Sequence, residues 1–168
     1  MSASRLVAAC AALLAGTTIP AGACPQALAS YAQAGSGVLL GFDGATAATD
    51  PMAHRFHVVV NGSGVRMDGV VMTVSDPVRP WGMVMHQCPE GDVTGAEIEA
   101  CTVWEGEMRT VDASGGEAFL PLAGGSAAEA ADLLRLSGFG AALARSPAWG
   151  GTASGPPTDD FQLKGCQE

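Results

Sequence analysis

The chain has 168 residues, of which 48% are hydrophobic, and its 17 acidic side chains outnumber 8 lysines and arginines to give a net charge of −9. This length is typical of a single domain, and the hydrophobic content is enough for a core, which excludes a wholly disordered chain. The negative charge argues against nucleic acid as a partner, because phosphates attract lysine and arginine, and the 5% aromatic content argues against a surface on which bases stack.

Residues 1–23 have the three parts of a secretory signal peptide. Arg5 supplies the positive charge, residues 6–15 form a short apolar run, and a small-x-small tripeptide stands just before Cys24. The apolar run is about half the ~20 residues of a spanning helix, and no later segment of the sequence is long and apolar enough to cross a membrane. We therefore predict cleavage before Cys24 and export to the periplasm or the extracellular space.

The predicted mature chain, residues 24–168, forms one domain that begins with a cysteine. Bacterial lipoproteins also begin with a cysteine, and they usually carry leucine or another branched residue three places earlier, where this chain has Ala21. An outer-membrane lipoprotein acylated at Cys24 is therefore an alternative. Removal of the leader takes away Arg5 and no acidic residue, so the mature chain is more acidic still.

Four cysteines remain in the mature chain, and an even number in an exported protein indicates disulfide bonds. Of the three ways to pair them we favour Cys88–Cys101, which closes a short loop between predicted strands, and Cys24–Cys166, which joins the two ends of the domain. Such loops stabilise a fold by about 3 and about 5 kcal/mol, respectively. The sequence has no C-x-x-C spacing, which argues against structural zinc and against a redox-active thiol pair.

The first half of the mature chain is predicted to form a short helix followed by strands. Residues 25–34 begin with proline, place apolar side chains on one stripe and end at glycine, which predicts the helix. Residues 38–42 predict a strand. Residues 54–60 and 65–74 are rich in β-branched side chains and flank an Asn-Gly pair, which is the strongest hairpin signal in the chain.

Residues 81–87 alternate along the next predicted strand. Trp81, Met83 and Met85 point to one side of it and His86 to the other. Because methionine fills irregular gaps, and because a Trp–Met stripe at strand period usually packs against other elements, we assign this stripe to the core.

Residues 102–111 predict a strand with one buried and one wet face. Trp104 and Met108 lie on the buried face, and Glu105 and Glu107 project from the other. Paired carboxylates can perform acid–base chemistry, but a solvated sheet face with a neighbouring arginine explains them.

The C-terminal third is predicted to add helices. A Ser-x-x-Glu capping box at residues 126–129 starts one helix, and residues 139–145 form a second. Residues 147–160 are predicted to be a loop, and residues 161–168 a terminal segment tied to the body by its cysteine. The order of elements predicts an α+β fold, a mostly antiparallel sheet of about five or six strands with short N- and C-terminal helices packed on one face. A small β-barrel is the alternative.

The common catalytic motifs are absent from the sequence, including G-x-S-x-G, H-E-x-x-H, the P-loop and the dinucleotide fingerprint. His54 and His57 stand three residues apart on a predicted strand, so they face opposite sides of it and do not form a metal pair. We therefore predict an exported, disulfide-stabilised, non-enzymatic binding protein of the cell envelope, without a cofactor, that engages an unknown protein or small ligand through a face or groove of its sheet.

One segment suggests a metal-binding alternative. An Asp-Pro pair is followed by Trp81-x-Met83-x-Met85, which over about ten residues resembles the small periplasmic copper/silver chaperones of tripartite efflux systems. The resemblance implies a periplasmic Cu(I)-binding protein in which Met83 and Met85 are ligands and the ring of Trp81 caps the cation. The ligand histidine of that family is replaced by Ser75, and His86 needs a β-bulge to join the two methionines.

Overall fold

The computed structural model describes residues 24–47, 50–122, 128–150 and 155–167. The predicted signal peptide and the serine of the predicted capping box lie outside these residues. The strands are β1 (Ala29–Ala32), β2 (Val38–Phe42), β3 (Met52–Val60), β4 (Val65–Ser75), β5 (Val78–Met85), β6 (Thr102–Val111), β7 (Glu117–Phe119), β8 (Leu133–Leu136) and β9 (Asp160–Cys166). The helices are α1 (Gly95–Cys101) and α2 (Phe139–Arg145), with single 3-10 turns at Gln26–Leu28 and Pro147–Trp149.

Eight of these strands form a closed antiparallel barrel. Around the barrel the order is β1, β2, β3, β4, β5, β6, β8 and β9, and β9 pairs with β1 to close it. β7 is an additional strand that pairs with the end of β6. The predicted α+β architecture is therefore wrong, because the sheet buries one face by closing on itself and needs no layer of helices to cover it.

Two segments that were predicted to be helical contribute strands to the barrel. Within residues 25–34 the chain makes one 3-10 turn and then enters β1, and the described part of the helix predicted to start at residues 126–129 contains β8. In β8 the buried residues Leu134 and Leu136 alternate with partly exposed neighbours, as a strand requires. Short isolated helices are marginal in water, so pairing with neighbouring strands overrides the local helical pattern.

The interior of the barrel is filled with side chains. The largest fully buried ones are Tyr31, Leu40, Phe42, Phe56, Met67, Met108, Leu120, Leu134, Leu136, Phe139, Leu143 and Phe161. Inward-facing glycines make room for them: a Cβ on Gly69 would lie 2.3 Å from the ring of Phe56, and one on Gly82 would lie 2.8 Å from the sulfur of Met108. Among the described residues, these side chains occupy the interior of the barrel and pack it as a core.

β5 presents to the core the opposite face from the one predicted. Gly82 and Val84 are buried and point inward, whereas Trp81, Met83 and Met85 are partly exposed on the outer surface. The assignment of the Trp–Met stripe to the core is therefore wrong. The cause is the glycine at position 82, because the space that it leaves is occupied by large side chains from β6.

The helix α2 packs against the core of the barrel. It buries Phe139 and Leu143 there, which confirms the helix predicted over residues 139–145. The two carboxylate oxygens of Asp159 each accept a hydrogen bond at 2.8 Å, from the N–H groups of Gly138 and Gly140, and thereby hold the start of α2. None of the described helices is long and apolar enough to cross a membrane.

Both disulfide bonds favoured from the sequence are present. Cys24 and Cys166 link the ends of the domain with their Cα atoms 5.6 Å apart, next to the start of β1. Cys88 and Cys101, with Cα atoms 5.1 Å apart, close the loop that contains α1. The predicted hairpin is also confirmed, since β3 and β4 pair in register on both sides of its Asn-Gly turn.

Candidate functional site

The outer surface of β3, β4 and β5 carries a continuous set of apolar side chains. We call it the methionine face, and it consists of Met52, Val70, Met72, Trp81, Met83 and Met85. Each of these residues is partly exposed. Four of the seven methionines of the chain lie on this face, whereas Met67 and Met108 are in the core.

The register of the strands makes the methionine face contiguous. Met72 stands directly opposite Met52 on one neighbouring strand and opposite Trp81 on the other, and Val70 stands opposite Met83. Side chains paired across antiparallel strands have Cβ atoms about 5 Å apart, close enough for these residues to touch. The sequence does not reveal this assembly, because the six residues come from three strands whose register is set by the fold.

Charged side chains surround the methionine face. The Cζ atom of Arg79 lies over the ring of Trp81, 5.4 Å from the ring centroid. The Nε atom of Arg79 is 3.4 Å from Oε1 of Glu107. Asp68 stands opposite Met85 and Glu105 opposite Met83, and both carboxylates are exposed. The outer position of Glu105 and Glu107 was predicted correctly.

The residues of the copper hypothesis are brought together only in part. Trp81, Met83 and Met85 share the methionine face, and Met72 brings a third thioether next to Trp81 from β4. His86 does not join them, because it follows the end of β5 and its side chain lines a groove between α1 and α2. Among the described residues no group of three or more histidine, cysteine, aspartate or glutamate side chains is arranged to hold a metal ion.

The groove between α1 and α2 is a second candidate site. It has two adjoining parts of about 650 and 620 Å³, which share Thr102, Val103, Ala142 and Arg145 in their walls. Gln87 at its mouth has φ +55°, a left-handed conformation that is uncommon for a residue other than glycine. Acidic and basic side chains both line the groove, so it does not indicate one class of ligand.

A histidine–carboxylate pair on the outer surface of β3 is a third candidate. Nδ1 of His57 is 2.5 Å from Oδ1 of Asp43, and a guanidinium nitrogen of Arg66 is 3.7 Å from the same oxygen. The imidazole lies over Gly41, where an added Cβ would be only 2.8 Å from its Cε1 atom. In the part of the chain that the structure describes, no hydroxyl or thiol is hydrogen-bonded to His57, so the pair lacks the nucleophile of a catalytic triad.

His54, which the sequence places on the opposite side of β3 from His57, is a core residue. It is 3% exposed, and its Nε2 atom lies 2.6 Å from the carbonyl oxygen of Pro121, with Phe42 edge-on at 5.4 Å. Burial lowers the pKa of His54, and the hydrogen bond to Pro121 offsets part of that shift. These contacts indicate a structural role.

Comparison with known proteins does not select among the three candidates. No protein-family profile matches this chain, and its comparison with curated proteins and with solved structures finds no significant similarity.

Proposed function

We propose that this chain is an exported, disulfide-stabilised, non-enzymatic binding protein of the cell envelope that engages a protein or small ligand through the methionine face. The observation that carries the proposal is an apolar set on the outer surface of a barrel whose interior is already filled. Outward positions of a solvated antiparallel sheet are usually polar, and contiguous apolar surface marks interaction sites. Methionine suits such a surface because its flexible thioether adapts to different partners.

Export is supported by the cysteines as well as by the leader sequence. Two disulfide bonds in a chain of this size are typical of the periplasm or the extracellular space, where thiols are oxidised. The disulfide at Cys24 also bears on the lipoprotein alternative, because lipid attachment uses the same sulfur atom. The bond to Cys166 therefore favours a soluble mature protein over one acylated at Cys24.

Site-specific photo-crosslinking in the native host tests the binding proposal. A photoreactive phenylalanine analogue replaces Met83 on the methionine face, and a matched variant carries it at Gln162, an exposed outer position on β9. We expect a discrete adduct from position 83 that is lost when Met72 and Met85 are changed to serine. The proposal is wrong if position 83 gives no adduct, or if both positions give the same adducts.

The intact mass of the protein purified from its own envelope tests export. We expect a chain that begins at Cys24, carries no acyl group and is lighter by four hydrogens, as two disulfide bonds require. An uncleaved chain with free thiols would contradict the proposed location, and a diacylglyceryl group on Cys24 would establish the lipoprotein alternative.

Cu(I) binding is a second candidate function, supported by the accessible thioethers of Met72 and Met83 next to Trp81 and by that of Met85, two residues beyond Met83 on the same strand face. Soft thioether ligands favour Cu(I). Titration of the signal-free protein against a competing Cu(I) chelator should then show binding that is lost in the Met83→Ile plus Met85→Ile variant and kept in His86→Ala. Binding that is absent, or unchanged in the methionine variant, excludes this function.

A further inference from the structure

We propose that the methionine face docks a cationic, amphipathic polypeptide segment, one that presents apolar side chains with lysine or arginine on either side of them. This inference rests on the proposed binding function and names its partner by chemistry. The charged side chains next to the methionine face support this choice of partner.

Two exposed carboxylates flank the central methionines. Asp68 on β4 stands opposite Met85, and Glu105 on β6 stands opposite Met83. Neither carboxylate forms an ion pair with any residue that the structure describes. His57 is the other cross-strand neighbour of Asp68, but its Nδ1 atom contacts Asp43 instead. Both carboxylates therefore remain available to a partner.

Two arginines next to the face are already paired, whereas Arg145, which lines the groove beside Met83 and Glu105, forms no ion pair with any described residue. Arg79 contacts Glu107 and stacks on Trp81. Arg55, which stands opposite Val70, contacts Asp50 at 3.2 Å. Among the charged side chains that stand directly opposite members of the face, Arg55 and Glu107 are therefore in ion pairs and Asp68 and Glu105 are not, in a chain whose net charge is −9. Such a charge distribution repels anionic peptides, nucleic acid and anionic lipid surfaces, and it attracts a basic partner.

The spacing of these groups suits a polypeptide better than a single small cation. β4 and β6 lie on either side of β5, so Asp68 and Glu105 are separated by two strand spacings across the sheet and by two residues along it, roughly 12 Å in all. A helix is about 10 Å across, so its apolar side can lie on Met83 and Met85 while basic residues on its two flanks reach the carboxylates. Apolar contact supplies affinity in this arrangement, and the charges select the partner.

Three synthetic peptides of one amphipathic pattern test the proposal with the signal-free, oxidised protein. The first contains leucine and lysine, the second leucine and glutamate, and the third serine and lysine. We expect the leucine–lysine peptide to bind, the leucine–glutamate peptide not to bind, and the serine–lysine peptide to bind at least about tenfold more weakly. Added salt should weaken the first interaction without abolishing it.

Variants of the protein connect the binding to this face. Asp68→Asn plus Glu105→Gln, which keeps side-chain shape, should weaken leucine–lysine binding by about fivefold to tenfold. Met83→Ser plus Met85→Ser should weaken it at least as much. The matched control is Glu129→Gln plus Asp132→Asn, which removes the same charge from exposed positions away from the face and should leave the affinity unchanged.

The outcomes separate the partner chemistry from the binding surface. If both leucine peptides bind equally and only the methionine variant weakens them, the cationic preference is wrong and the proposed binding face stands. If the control variant weakens binding as much as Asp68→Asn plus Glu105→Gln does, the attraction is a general effect of net charge and the proposal is overturned. If the leucine–lysine peptide does not bind, or binds with no loss in either face variant, docking at this face is wrong.

Discussion

At the scale of single residues, inward-facing glycines decide how the barrel is filled. Gly69 and Gly82 stand at positions of β4 and β5 where any side chain would overlap a large neighbour. In a sequence such glycines resemble strand breaks, but in the barrel each one is matched to a bulky side chain on the adjacent strand. Small and large residues therefore complement each other across the interior, as close packing requires.

Gly69→Ala should destabilise the fold by about 1–3 kcal/mol, because its Cβ would lie 2.3 Å from the ring of Phe56 and force the core to move. Urea unfolding measures the change. Gly95→Ala is the matched control, since nothing lies within 4 Å of the added Cβ and alanine favours the start of α1. Equal effects of the two substitutions would contradict the inward orientation of Gly69.

His54 should make stability fall on acidification. Burial lowers the pKa of His54 in the folded state below the ordinary value of about 6.5 that it keeps in the unfolded chain. Below that ordinary value the unfolded chain therefore binds more protons, and the free energy of unfolding decreases as the pH falls towards the folded-state pKa.

Urea unfolding at pH 7 and pH 5 checks this effect through the variant His54→Gln, whose amide still offers a donor to the carbonyl of Pro121. We expect the native protein to lose more stability between the two pH values than the variant loses. The same loss in both would show that other groups cause the acid sensitivity.

At the scale of elements, the orientation of β5 determines what the molecule presents to solvent. Period-2 alternation identifies the two faces of a strand but not which of them is inside. Trp81, Met83 and Met85 are the more hydrophobic set, yet Gly82 and Val84 face the core, since the neighbouring strands fill the space above the glycine. Because of this orientation, Trp81, Met83 and Met85, which were predicted to lie in the core, form part of the candidate binding surface.

Alanine substitutions at two methionines distinguish the two orientations of β5. Met83→Ala should cost less than about 1.5 kcal/mol because the side chain is partly exposed, whereas Met108→Ala should cost about 2–5 kcal/mol because its side chain is fully buried. Urea unfolding of both variants gives the comparison. A loss of unfolding free energy in Met83→Ala as large as that in Met108→Ala would show that Met83 is buried in the core.

Strand pairing also explains why the helical predictions failed at β1 and β8. Both segments contain alanine and leucine at spacings that fit a helix, but each completes a ladder with β9 that closes the barrel. The helix over residues 139–145 was predicted correctly because it begins after glycine, ends before proline and lies at the end of the barrel, where no strand competes for it.

At the scale of the whole molecule, barrel closure and the Cys24–Cys166 disulfide act together. The bond joins residues 142 positions apart at the point where β1 pairs with β9. A cross-link over such a long loop removes a large conformational entropy from the unfolded chain, and it ties the two termini to the strands that complete the barrel.

Removal of the long-range disulfide by Cys24→Ser plus Cys166→Ser should lower the free energy of unfolding by about 5 kcal/mol, against about 3 kcal/mol for Cys88→Ser plus Cys101→Ser, whose loop spans 13 positions. Unfolding of both variants and of the native protein under non-reducing conditions measures the difference. A larger loss from the short-loop variant would mean that strain or packing, and not loop entropy, controls the contribution of each bond.

The sequence by itself determined the strands on both sides of the Asn-Gly turn, the pairing of the four cysteines, the outer position of Glu105 and Glu107, and the short helix over residues 139–145. The strands, their faces and the helix follow from local sequence patterns, and four cysteines can pair in only three ways. Only the tertiary structure decided that the sheet closes, which face of β5 is inside, and that methionines from three strands meet on the outer surface. Closure and register depend on contacts between residues far apart in the chain, and local periodicity does not encode which strands will meet.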